Sequence, residues 1–277
     1  MMEPFQLKDE SFYRIPDWEG KFPDLIAGFS TKHGGISKGA FQGLNLGLHV
    51  KDNLSHVCQN RRMLSANLDV PLEKWVWAEQ THHNRIFHAG LDDRGRGSLS
   101  YEDSIADTDG LFTDEKGVML SLCYADCVPL YFLAAKAKRI GIAHAGWKGT
   151  VKGIGAEMVR LWKEDGIDLD DIHVIIGPSI CGECYLVDHK VISAAAHWIE
   201  ENEEKPYRPH EEKGGQFYLD LKSLNALILK RSGISPKQIR QTQFCTSCHK
   251  QFFSHRRDKG HTGRMISFIG WKENVPS

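Results

Sequence analysis

The chain has 277 residues, 41% of them hydrophobic and 26% charged, with 35 basic side chains against 36 acidic ones for a formal net charge of −1. That balance suits a soluble globular protein with a substantial core, and it excludes nucleic acid or an anionic membrane as partners drawn in by overall charge. No run of 18 apolar residues is present to span a bilayer, and the opening "MMEPFQLKDE" lacks the apolar centre of a secretion signal, so a cytoplasmic protein is expected.

In chain order, "DLIAGFSTKHGG" predicts a short strand running into a Gly-rich turn. "NLSHVCQNRRMLSANLDV" predicts a helix capped by Asn53 or Ser55. "KWVWAEQTHHNRIFHAG" reads as a strand, a break and a second strand, and residues 90–109 form a long polar loop. "GVMLSLCYADCVPLYFLAA" reads as strand, turn, strand, and "KRIGIAHAGW" as a strand ending in small residues. "TVKGIGAEMVRLWKEDG" places Val151, Ile154, Met158 and Leu161 on one helical face. "IHVIIGPSI" is a buried strand, "VISAAAHWIEEN" a helix, "LKSLNALILKRSG" a helix closed by Gly233, and "GRMISFIGW" a final strand. Strands and helices alternate without a linker, which predicts one α+β (mixed α/β) domain over residues 1–277 with mixed sheets.

Seven cysteines without a secretory context favour thiols, metal ligands or catalysis over a disulfide framework. Three reactive side chains stand at strand ends beside small or turn-forming residues: His82 in "AEQTHHN", Cys127 in "YADCVP" and His144 in "IAHAGWKG". Two imidazoles and a thiolate suit zinc, and three protein ligands leave a fourth position open. Two other chemistries fit the same residues: Cys127 as a buried small hydrophobe with hydrogen-bonded histidines, or Cys127 as a nucleophile with His144 as its base. "CGEC" (Cys181, Cys184) and "CTSC" (Cys245, Cys248) follow the grammar of a closed zinc site, against which stand four unligated thiols. "FFSHRRDKGHTGR" carries Arg256, Arg257 and Arg264 among glycines, and Lys32 and His33 lie in "STKHGG". Such groups suit an oxyanion, or form a solvated basic turn. Asp107 and Asp109 in "ADTDGLFT" read as turn formers.

Taken in order, "GFSTKHGGISKGAFQGLNLGLHVKDN", "EQTH", "YADCVPL", "IAHAGWKGT", "IGPSICGECYLV", "LDLKSLN" and "FFSHRRDKGHTGR" resemble the YfiH/YlmD family, called laccase-domain or polyphenol oxidase proteins and read as purine nucleoside phosphorylases. The resemblance runs over about residues 25 to 271. It implies a four-layer α/β/β/α fold and one zinc ion held by His82, Cys127 and His144. It also implies phosphorolysis of adenosine, inosine, guanosine and methylthioadenosine, with deamination of adenosine. Asp126 and Cys127 are then the catalytic candidates, and Lys32, His33, Asn45 and Arg257 the substrate-binding ones, with Arg257 foremost for phosphate. Cys123, four residues before Cys127, is assigned to packing. Relatives more often carry Arg where this chain has Lys32, and Tyr where it has His255, and a lysine offers a point charge in place of a fork.

The partners so implied are purine nucleosides and phosphate, acting on a monomer or weak homo-oligomer. The rival readings are a copper polyphenol oxidase, a metal-independent Cys–His hydrolase and a non-enzymatic zinc-binding protein. Copper is the alternative metal, but the 14 histidines are scattered and include no His-x-His pair.

Overall fold

A computed structural model describes residues 2–200 and 204–273. The chain opens with β1 (Gln6–Asp9), β2 (Phe12–Arg14), α1 (Pro16–Lys21) and β3 (Leu25–Ser30). It continues through α2 (Leu54–Leu68), β4 (Trp75–Trp77), β5 (Ile86–His88), β6 (Gly110–Thr113), β7 (Met119–Tyr124), β8 (Val128–Ala134) and β9 (Arg139–Ala145). Then follow α3 (Trp147–Val151), α4 (Ile154–Glu164), β10 (Ile172–Ile176), β11 (Leu186–Asp188) and α5 (His189–Ala195). Last come β12 (Tyr207–Pro209), β13 (Gln216–Leu219), α6 (Leu221–Arg231), β14 (Ile239–Gln241) and β15 (Met265–Trp271).

Two six-stranded sheets, in the orders β1-β2-β3-β15-β7-β4 and β14-β10-β8-β9-β6-β5, carry the fold, with β11-β13-β12 as a small third sheet. Both large sheets are mixed: β4–β7, β5–β6 and β10–β14 pair in parallel, and the central pairs are antiparallel. Side chains alternate across each strand, and β7 shows the consequence. Leu120, Leu122 and Tyr124 enter the core between the sheets, where they meet Phe29, Tyr131, Leu133 and Ile142. Met119 and Cys123 point the other way, into a layer with Leu64, Leu68, Trp75 and Phe268 under α2. On the far face of the second sheet, Leu130, Phe132 and Val174 pack against Ile154, Met158, Leu224 and Ile228 of α4 and α6. The layers are therefore helix, sheet, sheet, helix, as the sequence resemblance implies.

Two expectations need adjustment. The segment from Thr150 to Gly166 is not one helix: Gly153, with φ 75°, breaks it between α3 and α4. The buried face of α4 is Ile154, Met158 and Trp162, with Leu161 only packed at its edge. The "strand, turn, strand" around Cys123 and Cys127 is present as β7, a turn and β8, but it is not a hairpin. β7 lies in the first sheet and β8 in the second, so the intervening turn carries the chain from one sheet to the other. The helix predicted over "VISAAAHWIEEN" is α5 plus one tight turn through Trp198, and its end at residues 201–202 lies outside the described residues. Asn53 is the cap of α2, its side chain accepting the Ser55 amide at 2.9 Å. Among the described residues no helix is long and apolar enough to cross a membrane.

Candidate metal centre

Each of the three strand-end motifs ends up at one place. Val128 pairs with Ala145 and Pro129 with His144, so the first residues of β8 lie beside the last of β9. Cys127 thereby stands next to His144. His82 comes from the loop between β4 and β5, which is fastened to the sheet-crossing turn by Gln80. The Gln80 side chain accepts the Cys123 amide at 2.7 Å and donates to the Cys123 carbonyl at 2.8 Å, in the manner of a strand neighbour. His82 itself is in the left-handed region, φ 62°, at a bend. Nitrogen and sulfur atoms of His82, Cys127 and His144 all lie within 4.8 Å of one another.

Asp109 organises this cluster and was not recognised from the sequence, where it reads as a turn former. It is fully buried at the start of β6. Its Oδ1 lies 2.8 Å from His144 Nδ1 and accepts the His82 amide at 3.0 Å; its Oδ2 accepts the amides of Thr81 and His83 at 3.1 and 2.8 Å. Despite burial, these donors hold its pKa below the usual carboxylate range, so it is an ionised acceptor. The Nδ1 of His144 accordingly carries the proton, and Nε2 is the nitrogen left for the cluster. The signal for Asp109 was its place between a loop and a buried strand, which composition alone does not separate from a turn.

Charge in the cluster is arranged for a cation. Burial opposes ionisation of Cys127, but His144 and then His82 outweigh it and bring the thiol down to about 6. Burial likewise opposes protonation of His144, but Cys127 and Asp109 raise it to about 9. A half-buried thiolate beside an imidazolium thus stands where two imidazoles and a thiolate would face a metal. The space between them is kept open by Gly146, where a Cβ would lie 3.1 Å from both Cys127 Sγ and His82 Cδ2. The donor set and this cradle fit zinc.

The multi-copper polyphenol oxidoreductase laccase family matches residues 26–272. The chain belongs to this family. It is 45% identical to purine nucleoside phosphorylase YlmD of Bacillus subtilis over 98% of each chain. It is 47% identical to the enzyme of the same name from Geobacillus stearothermophilus over 91% of this chain and 92% of that one. The crystal structure of YlmD from Geobacillus stearothermophilus superposes with a TM-score of 0.94 at 44% identity, covering 98% of this chain and 100% of that one. That of Neisseria meningitidis protein NMB0706 does so with a TM-score of 0.75 at 28% identity, covering 90% and 95%.

The 14 histidines of this laccase-family chain are dispersed. Among the described residues the metal-capable groups are His82–Cys127–His144 and a set of four cysteines, and neither holds more than two histidines. The described residues do not gather into the several histidine-rich sites that a multi-copper chemistry needs.

The remaining predicted residues are not gathered as the motifs imply. Arg257 is committed to its own loop. Its Nε and Nη2 donate to Asp258, Nη1 to the carbonyls of Thr246 and Ser247, and Nη2 also to that of Phe252. A guanidinium has five N–H donors, and here each faces one of these partners, so a phosphate contact through Arg257 would have to displace one of them. Asn45 is also committed: fully buried, it donates to Asp52 at 2.8 Å and accepts the amides of Gly47 and Arg264. These bonds make it a shaper of the loop.

Lys32 and His33 line a concavity built from residues 32–43, which none of the three cluster residues borders. Asp126 is in the left-handed region, φ 87°, and is buried. Its carboxylate accepts Thr246 Oγ1 at 2.6 Å, Ser254 Oγ at 3.1 Å and the Arg256 amide at 2.7 Å. Cys123 packs under α2, as assigned.

The cluster's further neighbours are Arg264, one of the basic groups singled out in the sequence, and His49, which was not. A Cβ at Gly47 would touch Arg264 Cγ at 2.7 Å and His49 Cε1 at 3.4 Å, so the two side chains flank one glycine. Crowding by surrounding groups, then Arg264, Arg61, His144 and His82, lowers the His49 pKa to about 3, although the residue keeps an exposed surface. Arg264 uses Nη1 on the carbonyls of Thr262 and Gly263, leaving Nε and Nη2 without an acceptor among the described residues. It is close enough to Cys127 and Asp126 for their charges to act on it.

Proposed function

We propose that this protein is a zinc-dependent purine nucleoside phosphorylase that also deaminates adenosine. The observation that carries the reading is the His82–Cys127–His144 cluster, oriented by Asp109 and flanked by the uncommitted donors of Arg264. The names of the YlmD relatives, purine nucleoside phosphorylases at 45% and 47% identity, support it. When bound, zinc supplies a Lewis acid for hydrolytic removal of the purine amine. The protein's own groups would hold it: His144 through Nε2, Cys127 as thiolate, and His82 from its bent loop.

In phosphorolysis a phosphate oxygen bonds to the ribose C1′ as the bond from C1′ to the purine nitrogen breaks. Catalysis then rests on holding the anion in line and on positive charge around it. We assign that anion to Nε and Nη2 of Arg264, with His49 beside it, and only more distantly to Lys32 and His33. Asp126 acts as a positioning residue: it ties the sheet-crossing turn that carries Cys127 to the loop of Thr246, Ser254 and Arg256.

The deciding experiment supplies inosine with and without inorganic phosphate and identifies the sugar product. Hypoxanthine with ribose 1-phosphate, formed only when phosphate is present, is the expected result. Free ribose would make the enzyme a hydrolase, and no turnover by a zinc-loaded protein would make it a binding protein. The ionised Cys127–His144 pair favours one second reading, a metal-independent Cys–His hydrolase. Activity that survives complete chelation, and is lost on alkylation of Cys127, would select it.

A further inference from the structure

We propose that Cys181, Cys184, Cys245 and Cys248 form a second zinc site, structural and closed, that clasps the two loops behind the catalytic turn. The four sulfurs lie within 4.8 Å of one another, although the two Cys-x-x-Cys pairs are far apart in the chain. The first pair follows β10 and the second follows β14, adjacent parallel strands of one sheet, and a Ser179–Cys245 bridge continues their pairing. Each pair is wound into a tight turn. The Cys184 amide donates to the Cys181 carbonyl at 3.1 Å, and the His249 amide to that of Cys245 at 3.0 Å.

Packing does not account for this convergence. Free cysteines pack as small hydrophobes when buried, but here Cys248 is exposed and Cys181 and Cys184 are partly so. Cys245 is buried, but none of the four joins one of the hydrophobic core clusters, whereas Cys123 belongs to one and Cys127 packs against another. Disulfides do not account for it either. Cys184 and Cys248 stand 3.4 Å apart, beyond a bond of about 2.05 Å. The amides of Cys181 and Cys248 both point at Cys245 Sγ, at 3.3 and 3.4 Å, the outer hydrogen bonds that a metal-bound thiolate accepts.

A buried cation completes the set. Lys222 is 5% exposed, bonds through Nζ to the carbonyls of Thr242 and Phe244, and interacts electrostatically with Cys245 and Cys181. Four thiolates on one Zn²⁺ leave a net charge of about −2, which a fixed ammonium offsets. The consequence reaches the first cluster. The loop that starts at Cys245 also supplies Thr246, Ser254 and the Arg256 amide to Asp126, next to Cys127. A zinc ion here would fix that loop, and its binding does not depend on the reaction proposed above.

The test is the metal content of untagged protein purified without chelator, with zinc X-ray absorption. The wild-type should hold about two zinc ions per chain, and Cys127→Ala about one, its zinc surrounded by sulfur alone at about 2.3 Å. The double variant Cys184→Ser/Cys248→Ser should fall to about one zinc, now with nitrogen neighbours. Should that variant not fold, the sulfur-only shell of Cys127→Ala decides alone. Denatured, chelated wild-type should show all seven thiols free. Cys127→Ala without zinc, a nitrogen-containing shell in that variant, or four thiols missing as two disulfides would each overturn the site. Loss of phosphorylase activity with the sulfur-only zinc intact would count against the proposed reaction and leave this site standing.

Discussion

Asp109 stands 2.8 Å from His144 Nδ1 and takes the His82 amide on the same oxygen. One buried carboxylate therefore sets the tautomer of one proposed ligand and the backbone of another. Asp109→Asn keeps the shape but replaces an acceptor oxygen with an NH2 group, which opposes at least one of the N–H donors now facing it. Zinc affinity at the three-residue cluster should fall by about 10- to 100-fold, the usual cost of losing such an outer partner. Competition with a chromophoric chelator measures it. An unchanged affinity would show that His144 needs no orienting carboxylate.

The two adjacent histidines divide. His82 is in the cluster, whereas His83 is exposed, its Nδ1 3.7 Å from Asp107. His82→Ala should lower zinc binding at this site by orders of magnitude, as loss of one of three protein ligands requires. His83→Ala should keep the metal and change activity by less than about threefold, its ion pair being a weak surface one. Zinc content and adenosine deamination in both variants are the readout. The reverse pattern would place the ligand one residue later.

Strand alternation alone would also divide the two histidines, but for an incomplete reason. Alternation along an extended segment sends neighbours to opposite sides, whereas His82 is left-handed at a bend. The layers and most strands were legible because apolar alternation and turn residues are local signals. The two missed features are non-local. Whether the arginines of "FFSHRRDKGHTGR" meet solvent, carbonyls or an anion depends on the loop fold around them, so Arg257 and Arg264 could not be told apart. Asp109 could not be told from a turn former because its donors come from Thr81, His82 and His83, a loop distant in sequence. The short strands β11 to β13 were missed for a similar reason. They are three or four residues each and stabilised by pairing, with little apolar pattern of their own.

Arg257 and Arg264 should separate by experiment. Arg257→Ala removes a guanidinium that pins Thr246, Ser247, Phe252 and Asp258 together. It should cost about 2–3 kcal/mol of stability, seen as a lower urea midpoint, with little specific effect on the phosphate KM. Arg264→Ala should raise the phosphate KM by about 10-fold or more while adenosine deamination, which uses no phosphate, is less affected. If the phosphate KM instead rises in Arg257→Ala alone, the anion is not at Arg264.

In metal-depleted protein Cys127 should ionise well below an ordinary thiol. Its pKa is lowered to about 6, because His144 and then His82 outweigh the burial that opposes charge. That of His144 is raised to about 9, because Cys127 and Asp109 outweigh the same burial. The sign follows for each. A depressed thiol pKa contributes stability that is present above the unfolded value and lost as pH falls through about 6. A raised imidazole pKa contributes stability that is present below the unfolded value and lost as pH rises through about 9. The thiolate–imidazolium pair is thus complete only between those limits. Iodoacetamide alkylation of Cys127, followed at the peptide level by mass spectrometry, should rise through pH about 6 and be near its plateau at neutral pH, where an ordinary thiol of pKa about 8.5 is still mostly protonated. Added zinc should suppress it by occupying the same sulfur. A midpoint near that of an ordinary thiol, or alkylation indifferent to zinc, would remove Cys127 from the cluster as a ligand.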